Sequence, residues 1–262
     1  MDQPVLLTGA GGRVGQAILG HIGDAYDWRL LDREPLSDEK IPESVDPTDV
    51  YVADVTDETA VRNAIEGVYA VIHLAGDPRP EAPWDSVLRN NIDGTQQMFD
   101  AAVDAGVEKF AFASSNHAVG AYETMDRTPD MYRPHHEFRL DGTELPRPSN
   151  LYGVSKAAGE TLGRYYHDHH DISVVNVRIG NLTQHHPPKE YERGQAMWLS
   201  YRDCAHLFEC CIEADYDYEI VYGISDNDRK YYSIDRARAV LDYDPQDNSA
   251  EFTFEGEPLD EA

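Results

Sequence analysis

A doubly wound parallel α/β sheet with a small C-terminal lobe is the fold class this sequence predicts, on three observations. Nearly continuous apolar runs recur at 4–8, 28–32, 49–54, 69–75, 108–114 and 172–178, as strands buried on both faces require. Amphipathic stretches at 13–22, 57–66, 84–105 and 151–170 fall between most of them, the alternation of a parallel sheet. The first run leads directly into Thr8-Gly-Ala-Gly-Gly-Arg-Val-Gly15, a glycine-rich turn opening a helix.

Gly9, Gly12 and Gly15 have the spacing of a dinucleotide-binding turn, with Arg13 and Val14 at the start of the helix. The first glycine permits a tight turn and the second lets backbone approach a pyrophosphate. The third lets helix and strand pack closely, and the helix N-terminus faces the negative charge. The second strand ends in acid, Trp28-Arg-Leu-Leu-Asp32. Asp32 is placed to accept hydrogen bonds from the adenosine ribose hydroxyls and would repel a 2′-phosphate, so the expected cofactor is NAD. Arg33 beside it is the residue that keeps NADP open. The arrangement is Rossmann-type.

Two segments interrupt the alternation. Residues 121–150, with Pro129, Pro134, Pro146 and Pro148, read as a long loop beside the site, and 181–200 as a second loop. After them come a helix at 201–214, a strand at 219–223 and a helix around 233–241. The expectation is one domain over 1–262. It divides into a cofactor core of about 1–180, lobe elements at about 181–245 and an acidic, frayed tail at 246–262.

The chain carries 49 acidic against 22 basic residues, a net charge of −27, and five of the basic residues are lysine. That balance argues against nucleic acid and anionic membranes as partners. It suits a cytoplasm with molar salt, where self-repulsion is screened and acidic side chains hold water, the situation of a halophile. The first strand begins by residue 4, so no apolar leader is expected. Cys204, Cys210 and Cys211 have no metal spacing and read as reduced thiols. His135-His136, His167/His169/His170 and His185-His186 likewise lack consistent spacing, so no metal is expected. Tyr165-Tyr166 and Tyr231-Tyr232 read as packing aromatics.

Tyr152-Gly-Val-Ser-Lys156 opens a helix, and four positions put the tyrosine and lysine on one face. A phenol with an ordinary pKa near ~10 needs about 4 kcal/mol of preferential support to act as a base near neutrality. A neighbouring ammonium and an oxidised nicotinamide supply support of that kind. Upstream lies Phe112-Ala-Ser-Ser-Asn-His-Ala-Val-Gly120, a strand ending in two serines.

Together with Asp54-Val55, His73-Leu-Ala-Gly76 and Asn91 in Asn-Asn-Ile-Asp-Gly-Thr, these pieces resemble the extended short-chain dehydrogenase/reductase family across residues 4–245. The resemblance implies that Asp54 and Val55 meet adenine and that Leu74, Ala75, Gly76 and Ile179 line the cofactor. It further implies that Ser115 orients the substrate hydroxyl and that Lys156 holds the nicotinamide ribose. Asn91 would support the active-site helix and a proton relay, at the boundary of catalysis and cofactor binding. Ser115-Asn116-His117 differs from the Thr-Asp-Glu of the family's dehydratases, and the chain is short for a nucleotide-sugar epimerase.

Ser-Ser-Asn-His, Leu-Tyr-Gly-Val-Ser-Lys and Val177-Arg-Ile-Gly180 resemble uronate dehydrogenases, which oxidise C1 of a hexuronic acid to the lactone. Those enzymes hold the C6 carboxylate with an arginine five residues before a tryptophan; here Arg193 precedes Trp198 by five. The loop reads His185-His-Pro-Pro-Lys-Glu-Tyr-Glu-Arg193, about three residues longer. Lys189, two histidines and Arg193 suit a C6 phosphate, which arginine and lysine bind through charge-assisted hydrogen bonds. The pattern by itself reaches C1 oxidation of an anionic hexose. Joined to the halophilic composition, the whole sequence resembles haloarchaeal sugar-phosphate dehydrogenases of this family. That resemblance implies oxidation of β-D-glucose 6-phosphate at C1, the entry to the oxidative pentose phosphate pathway. Glucuronate or galacturonate is the alternative substrate. Asn116, His117 and Asn181 would bind pyranose hydroxyls. Pairing of copies through helices near 84–105 and 151–170 is a further implication of the resemblance.

Overall fold

The computed structural model describes residues 3–124, 130–132, 137–189, 192–253 and 255. Pro129, Pro134, His135-His136 and the end of the tail from 256 lie outside the described residues.

Strand β1 (Pro4–Thr8) leads through the glycine turn into α1 (Arg13–Ile22), followed by β2 (Asp27–Asp32), β3 (Val50–Val52), α2 (Glu58–Ile65) and β4 (Ala70–His73). The expected helix at 84–105 is present but composite. A short turn, α3 (Trp84–Ser86), passes into a π-helical stretch at Val87–Asp93 and then into α4 (Gly94–Ala105). Then come β5 (Lys109–Ser115), α5 (Leu151–His170) and β6 (Ser173–Ile179). The C-terminal part holds β7 (Asn181–Leu182), α6 (Glu192–Ala196), β8 (Trp198–Leu199), α7 (Tyr201–Glu213), β9 (Tyr218–Gly223) and α8 (Asp235–Leu241).

Seven parallel strands lie in the order β3-β2-β1-β4-β5-β6-β9. Successive strand residues point to opposite faces, so each apolar run feeds two cores. Val5, Leu7, Ile72, Ala111, Ala113 and Val175 face Ala17 and Ile18 of α1 and Leu207 and Phe208 of α7. Leu6, Val71, Phe110, Phe112 and Val174 face Val61 of α2, Met98 and Phe99 of α4 and Tyr166 of α5. The chain leaves β1 toward β2 and returns to β4 on its other side, so a crevice opens at the carboxyl ends of β1 and β4.

Three expectations are corrected here. The 219–223 strand, read as part of a lobe, is the edge strand β9 of the main sheet, and α7 contributes to the main core beside α1. What stands apart is a third cluster, in which Val119, Met131, Leu140, Met197, Tyr222, Tyr231 and Tyr232 pack together. Second, the 181–200 loop is organised: β7 pairs with β8, and Trp198 Nε1 donates to Thr183 Oγ1 at 2.8 Å. Third, the tail is docked from 246 to 249. Backbone N–H groups of Gln246 and Asp247 donate to buried Asp203 at 2.8 and 3.0 Å, and Ser249 N donates to Asn227 Oδ1 at 3.0 Å. Acidic composition pointed to solvent, but fixed acceptors in the core capture the backbone donors.

The tyrosine pairs also differ from one another. Tyr231 and Tyr232 are fully buried, whereas Tyr165 is half exposed and stacks on His169 with ring centroids 4.5 Å apart. Among the described residues no helix is long and apolar enough to cross a membrane.

Candidate active site

The crevice is a cavity of about 870 Å³. Gly9, Gly12, Arg13, Val14, Gly15, Asp32, Asp54, Val55, Leu74, Ala75 and Gly76 line it, as do Ser115, Tyr152, Lys156, Ile179 and Asn181. The turn that forms one end leaves no room for side chains. Gly9 has φ +70°, and a Cβ there would stand 2.9 Å from Ala75 N; a Cβ on Gly15 would stand 2.5 Å from Ala10 O. Gly12 caps α1 without a side-chain hydrogen bond, and the first turn holds no acid. The leading N–H groups of α1 and their partial positive charge therefore face the cavity, which is the chemistry a pyrophosphate needs.

Asp32 closes the adenosine end. Its Oδ2 accepts from Gly11 N at 2.8 Å and its Oδ1 from Glu34 N at 3.1 Å, which fixes the carboxylate at the tip of β2. Asp54 is turned toward Thr56, whose N–H and hydroxyl donate to Oδ1 at 2.9 and 2.7 Å.

At the other end α5 starts at an Asn150 cap, whose side chain accepts from Gly153 N at 2.7 Å. The cap fixes the first turn of α5, and with it Tyr152 and Lys156. The Tyr152 hydroxyl is hydrogen-bonded to Ser115. Ser115 Oγ donates to Asn116 Oδ1 at 3.1 Å and accepts from His117 N at 3.2 Å. Lys156 is buried; its Nζ donates to Ala113 O at 2.7 Å and stands 5.6 Å from the Tyr152 ring centroid.

Burial pushes the Tyr152 phenol above its ordinary pKa, Asp77 adds to that, and the Ser115 hydrogen bond opposes it. Burial lowers Lys156 to about 8. Burial is thus the largest influence on both groups, and the Lys156 amine is directed at a carbonyl on the same side as the tyrosine ring.

Asn91 does not line the cavity; Asn90 does. Asn91 is buried in the π-helical stretch. Its Oδ1 accepts from Asp77 N at 2.6 Å, and its Nδ2 donates to Asp77 O and Ser155 Oγ, both at 3.0 Å. Thr95 Oγ1 donates to Asn91 O at 2.6 Å and meets His73 Nε2 at 3.1 Å, while His73 Nδ1 meets Thr8 Oγ1 at 2.8 Å. Burial holds His73 neutral, down to about 3. Asn91 thus ties the wall of the cavity to α5, in the kind of π-helical distortion common at functional sites.

The residues expected at the sugar lie behind this. Asn116 Nδ2 points to Met197 Sδ at 3.7 Å. The His117 ring meets Tyr152 edge-on at 5.6 Å, and its Nδ1 is 3.0 Å from Asn150 Nδ2. Burial lowers His117, with Arg193 adding to this and Glu123 opposing it. Neither Asn116, His117 nor Arg193 lines the cavity itself. Arg193, expected as an open anion clamp, is ion-paired through Nε with buried Glu123, which also accepts from Tyr232. Burial works against the Arg193 charge, and Glu123 more than offsets it. Lys189 is drawn to Glu255 at 3.2 Å.

Two further clusters stand beside these, and of their residues only Arg79 is expected from the sequence, as an alternative to Arg193 for the sugar's anion. One is Asp77 with Arg79 and Ser86 at the cavity rim. The other is a buried ion pair behind Ser114. Arg178 Nε and Nη2 donate to Glu160 at 2.8 and 2.9 Å, and Ser114 Oγ donates to the same carboxylate at 2.6 Å.

The family described as NAD dependent epimerase/dehydratase matches residues 5–206. The chain belongs to that family. Among the epimerase/dehydratase-family relatives, the NAD-dependent glucose-6-phosphate dehydrogenase of Haloferax volcanii is 96% identical over 262 residues, covering 100% of both chains. The uronate dehydrogenase of Pseudomonas syringae pv. tomato is 34% identical over 250 residues, 95% of this chain and 83% of that protein. A solved uronate dehydrogenase of Agrobacterium tumefaciens, a tyrosine-to-alanine mutant complexed with NAD, superposes with TM-score 0.81 at 30% identity. It covers 96% of this chain and 88% of that one.

Proposed function

We propose that this chain is an NAD-dependent dehydrogenase that oxidises β-D-glucose 6-phosphate at C1 to 6-phosphogluconolactone. The observation that carries this reading is the 96% identity to the Haloferax volcanii enzyme across the whole chain, which leaves the substrate site little room to differ. The cavity supports it: bare helix N–H groups, a glycine turn without space for side chains and an acidic β2 end fit NAD at one end. The Ser115–Tyr152 pair at the other end fits an alcohol.

Bound NAD supplies the hydride acceptor. Gly9, Gly12 and Gly15, with Arg13 and Val14, hold the pyrophosphate, and Asp32 takes the adenosine ribose. Asp54 and Val55 border adenine, and Leu74, Ala75, Gly76 and Ile179 form the remaining wall. Ser115 orients the C1 hydroxyl, and Tyr152, as phenolate, takes its proton while the C1–H bond breaks. Lys156, whose Nζ donates to Ala113 O, would hold the nicotinamide ribose and favour the phenolate through its charge. Asn91 positions α5 through Ser155. Asn181 borders the pyranose, with Asn116, His117 and Arg193 in the layer behind it. With a net charge of −27, the enzyme belongs in the cytoplasm of a halophile.

Two measurements test the reading. NADH formation in molar KCl with glucose 6-phosphate, glucuronate and glucose should favour glucose 6-phosphate; a preference for glucuronate replaces this reading with uronate oxidation. Lys156→Met removes a charge that favours the phenolate. The acidic limb of the kcat/KM profile should therefore move up by about one pH unit or more, since the tyrosine then ionises later. An unmoved limb removes Lys156 from tuning the base.

A further inference from the structure

The cations that line the cavity divide by position. Arg13 stands at the first turn of α1 and donates to Leu182 O at 3.2 Å. Arg33 adjoins Asp32, and Lys40 donates to Gly11 O at 3.1 Å, both at the adenosine end. Lys156 lies beneath Tyr152. Among the described residues lining the cavity, the remaining cation is Arg79.

Arg79 is held as a fork. Its Nε donates to Asp77 Oδ1 at 2.9 Å and its Nη2 to Asp77 Oδ2 at 2.6 Å, which leaves the Nη1 amine for an incoming group. Asp77 also accepts from Ser86 Oγ at 2.5 Å, and its backbone is clamped on both sides by Asn91, which bonds to Ser155 beside Lys156. The Arg79 side chain nonetheless keeps 58% of its surface exposed, whereas that of Asp77 keeps 7%. Asn91 ties Asp77 to Ser155 on the first turn of α5, between Tyr152 and Lys156, so the Asp77–Arg79 pair stands at the catalytic end of the cavity. The two cations expected for the sugar's anion, Arg193 and Lys189, do not line the cavity, and they pair with Glu123 and Glu255.

We infer that Arg79 receives the C6 anion of the sugar and sets the preference for a charged hexose over a neutral one. On the reading above, that anion is a phosphate monoester. A guanidinium oriented from behind by a carboxylate presents its remaining N–H groups in a fixed direction, which suits a tetrahedral anion.

Arg79→Ala and Arg79→Lys test this by steady-state kinetics in molar KCl, with glucose 6-phosphate and glucose compared at saturating NAD. In Arg79→Ala the ratio of kcat/KM for glucose 6-phosphate over glucose should fall at least about tenfold, the size of one charge-assisted hydrogen bond. Arg79→Lys should recover part of it. A ratio within about twofold of the parent overturns the inference, as does a KM for NAD that rises as much as that for the sugar phosphate. If the unaltered protein prefers glucuronate, the reading of the substrate fails. The ratio is then measured for glucuronate over glucose, and the assignment of Arg79 to a C6 anion stands or falls on the same tenfold.

Discussion

Replacing Tyr152 with phenylalanine lowers kcat about a thousandfold, within the range that a positioned acid–base group contributes, while NAD binding is retained. The substitution removes one oxygen and leaves the ring that meets His117 edge-on at 5.6 Å. What is lost is the proton acceptor hydrogen-bonded to Ser115. Steady-state NADH formation reads the loss, and titration of protein fluorescence with NAD reads the binding. A variant within about tenfold of the parent rate would sink the assignment of Tyr152 as base. The structure makes the tyrosine's task harder than the sequence suggests, because burial alone raises its pKa and the Lys156 amine is engaged by Ala113 O. Formation of the phenolate therefore needs positive charge close enough to offset burial.

The second large effect is on stability. Arg178 is fully buried on β6, with Nε and Nη2 on Glu160 of α5 and Nη1 3.2 Å from Tyr222 Oη. Removing the arginine leaves a buried carboxylate without its cation, which costs about 3–5 kcal/mol. Arg178→Ala should therefore lower Tm by about 10 °C for a chain of this size. The double variant Arg178→Met/Glu160→Met should recover part of it, since the fully buried carboxylate is then gone, while Glu144 still loses its partner 3.4 Å away. Thermal melts in molar KCl check both, and an Arg178→Ala variant that melts within about 2 °C of the parent would refute the role. Screening discriminates as well. Exposed pairs such as Arg62–Glu58 and Arg164–Asp168 contribute little at that salt, whereas water and ions do not reach Arg178.

Two lessons separate along the same line. The six strands from 4–8 to 172–178 and their helices were legible because apolar periodicity reports burial, and burial on two faces is a local requirement of each strand. The glycine turn and Asp32 were legible for a similar reason, since a tight approach of backbone to backbone excludes side chains wherever it occurs. Tyr152 and Lys156 were legible because one helical turn brings them to the same face.

Other features depended on partners remote in the chain. The membership of β9 in the main sheet is set by hydrogen bonds to β6, more than forty positions away, as in Val177↔Val221. The π-helical stretch is held where Asn91 reaches Asp77 and Ser155. The tail from 246 to 249 is docked by acceptors on Asp203 and Asn227.

The sequence by itself determined the doubly wound sheet, the dinucleotide turn and the tyrosine–lysine pair, because each follows from spacing within one or two turns or strands. Only the tertiary structure decided which charges are available. Arg193 and Glu123 lie 70 positions apart, yet they meet in the fold, while Arg79 is held facing the cavity. Whether a cation faces the cavity is a property of packed distance rather than of order along the chain.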